Sequence, residues 1–183
     1  MGRPRSFDRE QALDAAMRLF WEQGYAHTSV ADLTQRLGIS APSLYAAFGD
    51  KRTLFEEAVA RYEASPASVT TAGTTGTSPR EGLEKMLDSA VREYVSDDHP
   101  RGCLVNSSPE LAENREHNRE ITATRLREIA DDDVLDAEAL SAYVHAVLMG
   151  MSSLARDGAG EDELRRVADV ALLAAPVITD ARR

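Results

Sequence analysis

The segment from Thr28 to Lys51, TSVADLTQRLGISAPSLYAAFGDK, sets the strongest constraint on what this chain can fold into. Two short helical patterns flank a tight turn. Ser29 is placed to cap the first, its hydroxyl accepting an orphan backbone N–H of the opening turn. Val30, Leu33 and Leu37 recur at helical spacing and make one apolar face. Gly38 permits the left-handed backbone that ends a helix, and Ile39 is the apolar plug of the turn. Ser40 caps the second pattern, and Pro42 falls in its first turn, where a missing N–H costs nothing. Leu44 and Phe48 are four apart and point one way, leaving Ser43, Tyr45, Ala46 and Ala47 outward. Gly49 closes the pattern. This is the rhythm of a helix-turn-helix, whose second helix can lie in a DNA major groove; a small helical hairpin with no such role has the same rhythm.

The flanks favour the DNA reading. From Asp8 to Gln23, Leu13, Ala16, Met17 and Phe20 form an amphipathic stripe, with Asp8 and Glu10 in the first turn, where acids suit the helix dipole. Gly24 stops this helix, and Trp21 is expected at the edge of the small domain. Asp50 caps a fourth helix, whose inner face is Leu54, Phe55, Ala58, Val59 and Tyr62.

The stretch resembles the signature of the tetracycline-repressor (TetR) family of bacterial regulators, T-V-x-x-I-A-x-x-x-G-V-S-x-x-x-L-Y-x-x-F-x-x-K. The chain carries Ser29-Val30, Leu33, Gly38-Ile39-Ser40, Leu44-Tyr45, Phe48 and Lys51 at those places. Leu33 and Ile39 are mild swaps. Thr34 stands where the family has Ala, and its hydroxyl needs a partner, for which the carbonyl one turn back is the candidate. The match covers about the first third of the chain. Beyond it the likeness is one of helical layout and length.

The resemblance implies an all-α fold, with a three-helix DNA-binding domain over residues 1–50 and a helical regulatory and dimerisation domain over 51–183. It implies a homodimeric transcriptional regulator, most often a repressor released from a palindromic operator by a small molecule. Ser40, Ala41, Pro42, Ser43 and Tyr45 are expected to face the groove, Tyr45 and Lys51 on phosphates, with Ser29 contributing through the first turn of its helix. The fourth helix would link the two domains, its angle setting operator affinity. An activator would share the DNA chemistry and differ in operator placement.

A net charge of −10 at first argues against DNA. Its distribution softens the objection. Residues 1–63 hold eight Lys or Arg against nine Asp or Glu, whereas the rest hold thirteen against twenty-two. Local charge at the contact surface matters more than the total. Arg3, Arg5, Arg36, Lys51 and Arg52 lie in or beside the helix-turn-helix. Gly2-Arg3-Pro4-Arg5 is either a solvated tail or an arm laid on phosphates or in a minor groove.

The single cysteine excludes an intrachain disulfide and fits a reducing cytosol. No apolar run approaches membrane-spanning length, and the polar, basic start lacks a signal-peptide core. A cytoplasmic protein with no membrane role is expected.

Residues 65–79, SPASVTTAGTTGTSP, are expected to be a loop or mobile linker. A fifth helix runs from Pro79 to about Ser96. Residues 101–112, RGCLVNSSPELA, suggest one short, mostly buried helix with a proline kink. A seventh runs from about Glu113 to Ala130, with Ile121, Leu126 and Ile129 inward, stopping before three aspartates. The eighth, capped by Asp136, reaches Arg156, and the ninth starts near Glu161. Both are apolar over wide arcs, which requires partners on more than one side. Burial within one subunit satisfies this. So does a four-helix seam between two subunits, for which Val144, Leu148, Met151, Val167, Ala171 and Ala174 are candidates.

By the resemblance an effector cavity lies within helices four to eight, with Tyr62, Met86, Tyr94, Cys103, Asn106, Arg125 and His145 as candidate lining. Cys103 follows Arg101-Gly102 near a helix start, where positive charge and backbone N–H groups would lower a thiol pKa. It is either an inert small hydrophobe or a sensor of electrophiles or oxidants. The four histidines are scattered and do not assemble with Cys103 into a zinc site. No phosphate-binding glycine loop or nucleophile motif occurs, so neither a cofactor nor a catalytic residue is expected. A helical enzyme or interaction module with an incidental helix-turn-helix is the competing class.

Overall fold

The computed structural model of the chain describes residues 7–70, 75–130 and 136–180, the last six as backbone only. Among the described residues all regular structure is helical, with no strand. In order, they form α1 (Arg9–Gln23), α2 (Val30–Leu37), α3 (Ala41–Phe48), α4 (Lys51–Glu63), α5 (Pro79–Glu93), α6 (Leu104–Ser107), a 3-10 turn (Pro109–Leu111), α7 (Ala112–Glu128), α8 (Ala137–Arg156) and α9 (Glu161–Asp180). They divide into two compact units, residues 1–65 and 66–183. The expected division after residue 50 places α4 with the second domain, whereas the contacts keep α4 in the first unit.

In that unit α1 packs on α4 and α2. Phe20 meets Phe55 edge-on at 5.1 Å between ring centroids, and Trp21 meets Tyr62 the same way at 4.8 Å. Trp21 is therefore core, 2% exposed, and not at the edge. Tyr62, from α4, covers the indole ring, a contact that spacing along α1 alone does not show. Leu54, Phe55, Ala58, Val59 and Tyr62 are all buried on α4, as the spacing predicts.

The second unit is built on α8, which packs against α7, α5, α6 and α9, with α9 also on α5. Three expectations change here. Residues 101–112 are not one kinked helix. Ser108 is extended, at φ −103° and ψ 112°, so α6 ends at Ser107 and the chain re-enters helix at Pro109. Residues 65–79 are not all loose, because Ala67, Ser68 and Val69 are buried. On α7 the inner face is Thr122, Ala123 and Leu126, and Ile121 is 38% exposed. The charged pattern of α7 masks its phase. The three aspartates, 131–133, lie outside the described residues.

Among the described residues no helix is long and apolar enough to cross a membrane.

Candidate nucleic-acid interface

Local chemistry fixes each turn of the helix-turn-helix. Ser29 accepts the Asp32 N–H at 3.1 Å while the Asp32 carboxylate accepts the Ser29 N–H at 2.8 Å, a reciprocal capping box. The Ser29 hydroxyl, donating to the Asp32 carboxylate at 2.6 Å, and then the Ser29 N–H hold the Asp32 carboxyl below its ordinary range. Gly38 adopts φ +65°, the left-handed conformation that ends α2, which only glycine takes without strain. Thr34 donates to the Ala31 carbonyl at 2.9 Å, so the departure from the family pattern is satisfied within its own helix. Ser40 caps α3 by accepting the Ser43 N–H at 3.3 Å, and Asp50 caps α4 by accepting the Thr53 N–H at 2.8 Å.

Leu44 and Phe48 anchor α3 at 0% and 2% exposure. At 100° per residue their opposite face is centred on Pro42 and Ala46, with Ser43 and Tyr45 on its shoulders. Pro42, Tyr45 and Ala46 are exposed, Tyr45 by 48%, while Ala41 and Ser43 are half-buried. Arg9 locks the far end of α3. Its Nε donates to the Ala47 carbonyl at 3.3 Å, its guanidinium lies 4.6 Å from the Phe48 ring centroid, and its other nitrogen bonds Glu57 at 2.6 Å. A cation at the last turn of a helix complements its dipole. This role for Arg9 has no signal in spacing, because its partners are 38 and 48 residues away.

Most of the described cations of this unit are engaged inside it. Arg36 pairs with Glu22, Arg52 bonds Glu56 at 2.7 Å, and Arg61 binds Asp14 and Glu10. Lys51 sits instead over the Tyr25 ring, 4.1 Å from its centroid, at the start of α4. Ser29, Ser40, Tyr45 and Lys51 thus fall at helix starts or on exposed faces of one unit. Arg3 and Arg5 lie outside the described residues.

The candidate effector residues do not form one group. Tyr62 belongs to the first unit, against Trp21. In the second, Tyr94, Cys103 and Asn106 come together. Asn106 donates its backbone N–H to Cys103 Sγ at 3.4 Å and its carboxamide to the Tyr94 hydroxyl at 3.5 Å. Tyr94 is fully buried, and burial, reinforced by Cys103, pushes its pKa well up. Cys103 is 6% exposed. The arginine expected to acidify it is used elsewhere: Arg101 donates to the carbonyls of Ala155 and Ala159 at 3.2 and 3.0 Å. Met86 is plain core, Arg125 reaches Glu128 and the Gly76 carbonyl, and His145 meets Thr122.

Of the candidate seam residues, Val144, Leu148, Met151 and Ala171 are buried inside the second unit, while Val167 and Ala174 are half-buried. Among the described residues, the large apolar side chains that α8 and α9 leave on the surface are Met149, Val170 and Leu173, at 42%, 65% and 75% exposure.

The profile described as "Bacterial regulatory proteins, tetR family" matches residues 12–58, from within α1 to within α4. The HTH-type transcriptional repressor ComR of Escherichia coli K12 is 32% identical, over 93% of this chain and 90% of ComR. The chain belongs to the TetR family. The repressor BdcR of the same organism is also 32% identical, over 93% of this chain and 90% of BdcR. Among solved structures, the TetR regulator CifR, in a cysteine-substituted form complexed with 26-base-pair operator DNA, is 36% identical. The match covers 94% of this chain and 99% of that one, with a TM-score of 0.86. Like those TetR proteins, this chain is a transcriptional regulator with an N-terminal helix-turn-helix and a helical remainder.

Proposed function

We propose that the chain is a homodimeric, cytoplasmic repressor that binds a palindromic operator through α3 and is released by a small molecule, and is not an enzyme. The observation that carries this is the outward face of α3, exposed and uncharged, on a helix fixed by caps at both of its turns and by Arg9. The likeness to CifR, which is complexed with operator DNA, supports the same assignment. The first unit, with Lys51 at the start of α4, then carries the DNA contacts, and the second unit carries dimerisation and effector response. The basic arm with Arg3 and Arg5 adds contacts to phosphate or to the minor groove.

Mobility shifts on duplexes enriched by the protein from a random library test this directly. Tyr45→Phe removes a phosphate-facing hydroxyl and weakens every sequence about equally, by roughly fivefold for one hydrogen bond. Ser43→Ala changes discrimination at one base position. Unaltered affinity in both variants removes α3 from the interface.

For the effector we favour the Tyr94–Cys103–Asn106 cluster, where a thiol, a phenol and a carboxamide converge. Release from the operator by quinones, aldehydes or peroxide in wild type, lost in Cys103→Ser, makes the thiol the sensor. Equal responses in the two make Cys103 a packing residue.

A further inference from the structure

Ala46 is outward yet lies beside the residues expected to touch DNA rather than among them. It sits four residues after Pro42, so the two stack on one line along the helix, directly opposite Leu44 and Phe48. Both are exposed, and neither offers a donor or an acceptor. The polar neighbours are partly committed. Ser40 Oγ takes the Ser43 N–H at 3.3 Å and lies 2.9 Å from Ser43 Oγ. One hydroxyl proton of the pair is spent between them and one is left to offer a base. The middle of the recognition surface is therefore hydrocarbon. On the major-groove edges of the four standard bases the only apolar group is the thymine C5-methyl.

We propose that Ala46 and Pro42 are specificity-determining residues that select thymine by packing against its methyl group. This rests on α3 being the DNA-reading helix. It predicts that each half-site holds a thymine valued for its methyl rather than for its hydrogen-bonding edge.

The test uses the full-length protein and the duplex it enriches most strongly from a random library, resynthesised with deoxyuridine replacing one thymine at a time. Deoxyuridine keeps every hydrogen-bonding group and removes only the methyl. At one or more thymines in each half-site the exchange should weaken binding about fourfold, the worth of one buried methyl. Ala46→Gly should bind the thymine and deoxyuridine duplexes alike at the position it faces. Because glycine can fray so short a helix, Ala46→Ser provides a second variant that keeps the β-carbon and adds a hydroxyl. It should lose part of the same methyl preference while matching wild type in thermal unfolding. Equal binding of every deoxyuridine duplex, with thymine-to-cytosine exchanges still costly, overturns the proposal and assigns readout to hydrogen bonds. A methyl preference unaltered in both Ala46 variants removes Ala46 from the reading. Enrichment of no duplex at all defeats the DNA-binding assignment itself, and this inference with it.

Discussion

His145 makes the second unit sensitive to acid. Thr122 lies 2.9 Å from the Asn118 carbonyl, which only accepts, so its one hydroxyl proton is committed there. The Nε2 of His145, 3.0 Å from the same oxygen, must then be the protonated nitrogen that donates to it. Burial, and secondarily the Arg119 guanidinium, hold the imidazole pKa down to about 4. The unfolded chain has the ordinary value of 6.5, so between those two pH values only the unfolded state takes up this proton. The stability contributed by neutral His145 is complete above pH 6.5 and is lost as pH falls toward 4, at a cost of order 3 kcal/mol. Urea unfolding at pH 7 and pH 4.5 measures it; His145→Gln should show a smaller loss between them than wild type. The same residue-level chemistry explains why the helix-turn-helix was legible in the sequence. Ser29, Ser40, Asp50 and Gly38 act on partners within five residues, so spacing alone locates them. Arg9 and Arg101 act across 38 residues or more, and no local pattern reveals that.

At the scale of elements, the segment 101–103 is tied to the C-terminal third of α8, to the turn that follows it and to the end of α5. Besides the two Arg101 bonds, Cys103 donates its N–H to Ser152 Oγ at 2.9 Å, and Gly102 donates its N–H to the Tyr94 carbonyl at the same distance. Gly102 has φ +79°, and a β-carbon there would meet the Ser152 hydroxyl and carbonyl oxygens at 2.8 and 2.9 Å. Gly102→Ala should therefore destabilise the protein by about 2–3 kcal/mol, combining backbone strain with overpacking. Gly158→Ala, with φ +105° and open space around it, suffers the strain alone and should cost about 1 kcal/mol. Chemical denaturation of the two variants separates the terms. Helix existence along the chain was legible from periodicity, but the phase of α7 was not. So many of its positions are charged that Ile121 looked like an anchor, whereas the buried positions include Thr122, with a hydroxyl bonded inside its own helix. The break at Ser108 was hidden for a different reason, since Pro109 is as compatible with a kink as with a new start.

For the whole molecule, wide apolar arcs on α8 and α9 signalled burial without saying on which side. Leu148 and Ala171 fill the second unit, while Val170 and Leu173 face outward, where the second subunit of the proposed dimer would cover them. Leu173→Glu should thus yield a folded monomer in analytical ultracentrifugation, whereas Leu148→Glu should cost several kcal/mol and unfold the unit, because it buries an unpaired charge. The charge pattern of the first unit makes a separate prediction. Glu22→Gln releases Arg36, which should raise affinity for any duplex by a few-fold at low salt and steepen the dependence on salt by up to about one phosphate contact. Fluorescence anisotropy across a salt series reads both. The arginines held by Glu22, Glu56, Glu57, Asp14 and Glu10 also bear on how such a regulator behaves inside a cell. A chromosome offers on the order of a million or more wrong sites, and each competes through phosphate attraction alone. A protein whose cations are largely spent internally loses few copies to that competition. A small number of molecules per cell can then keep the correct site occupied.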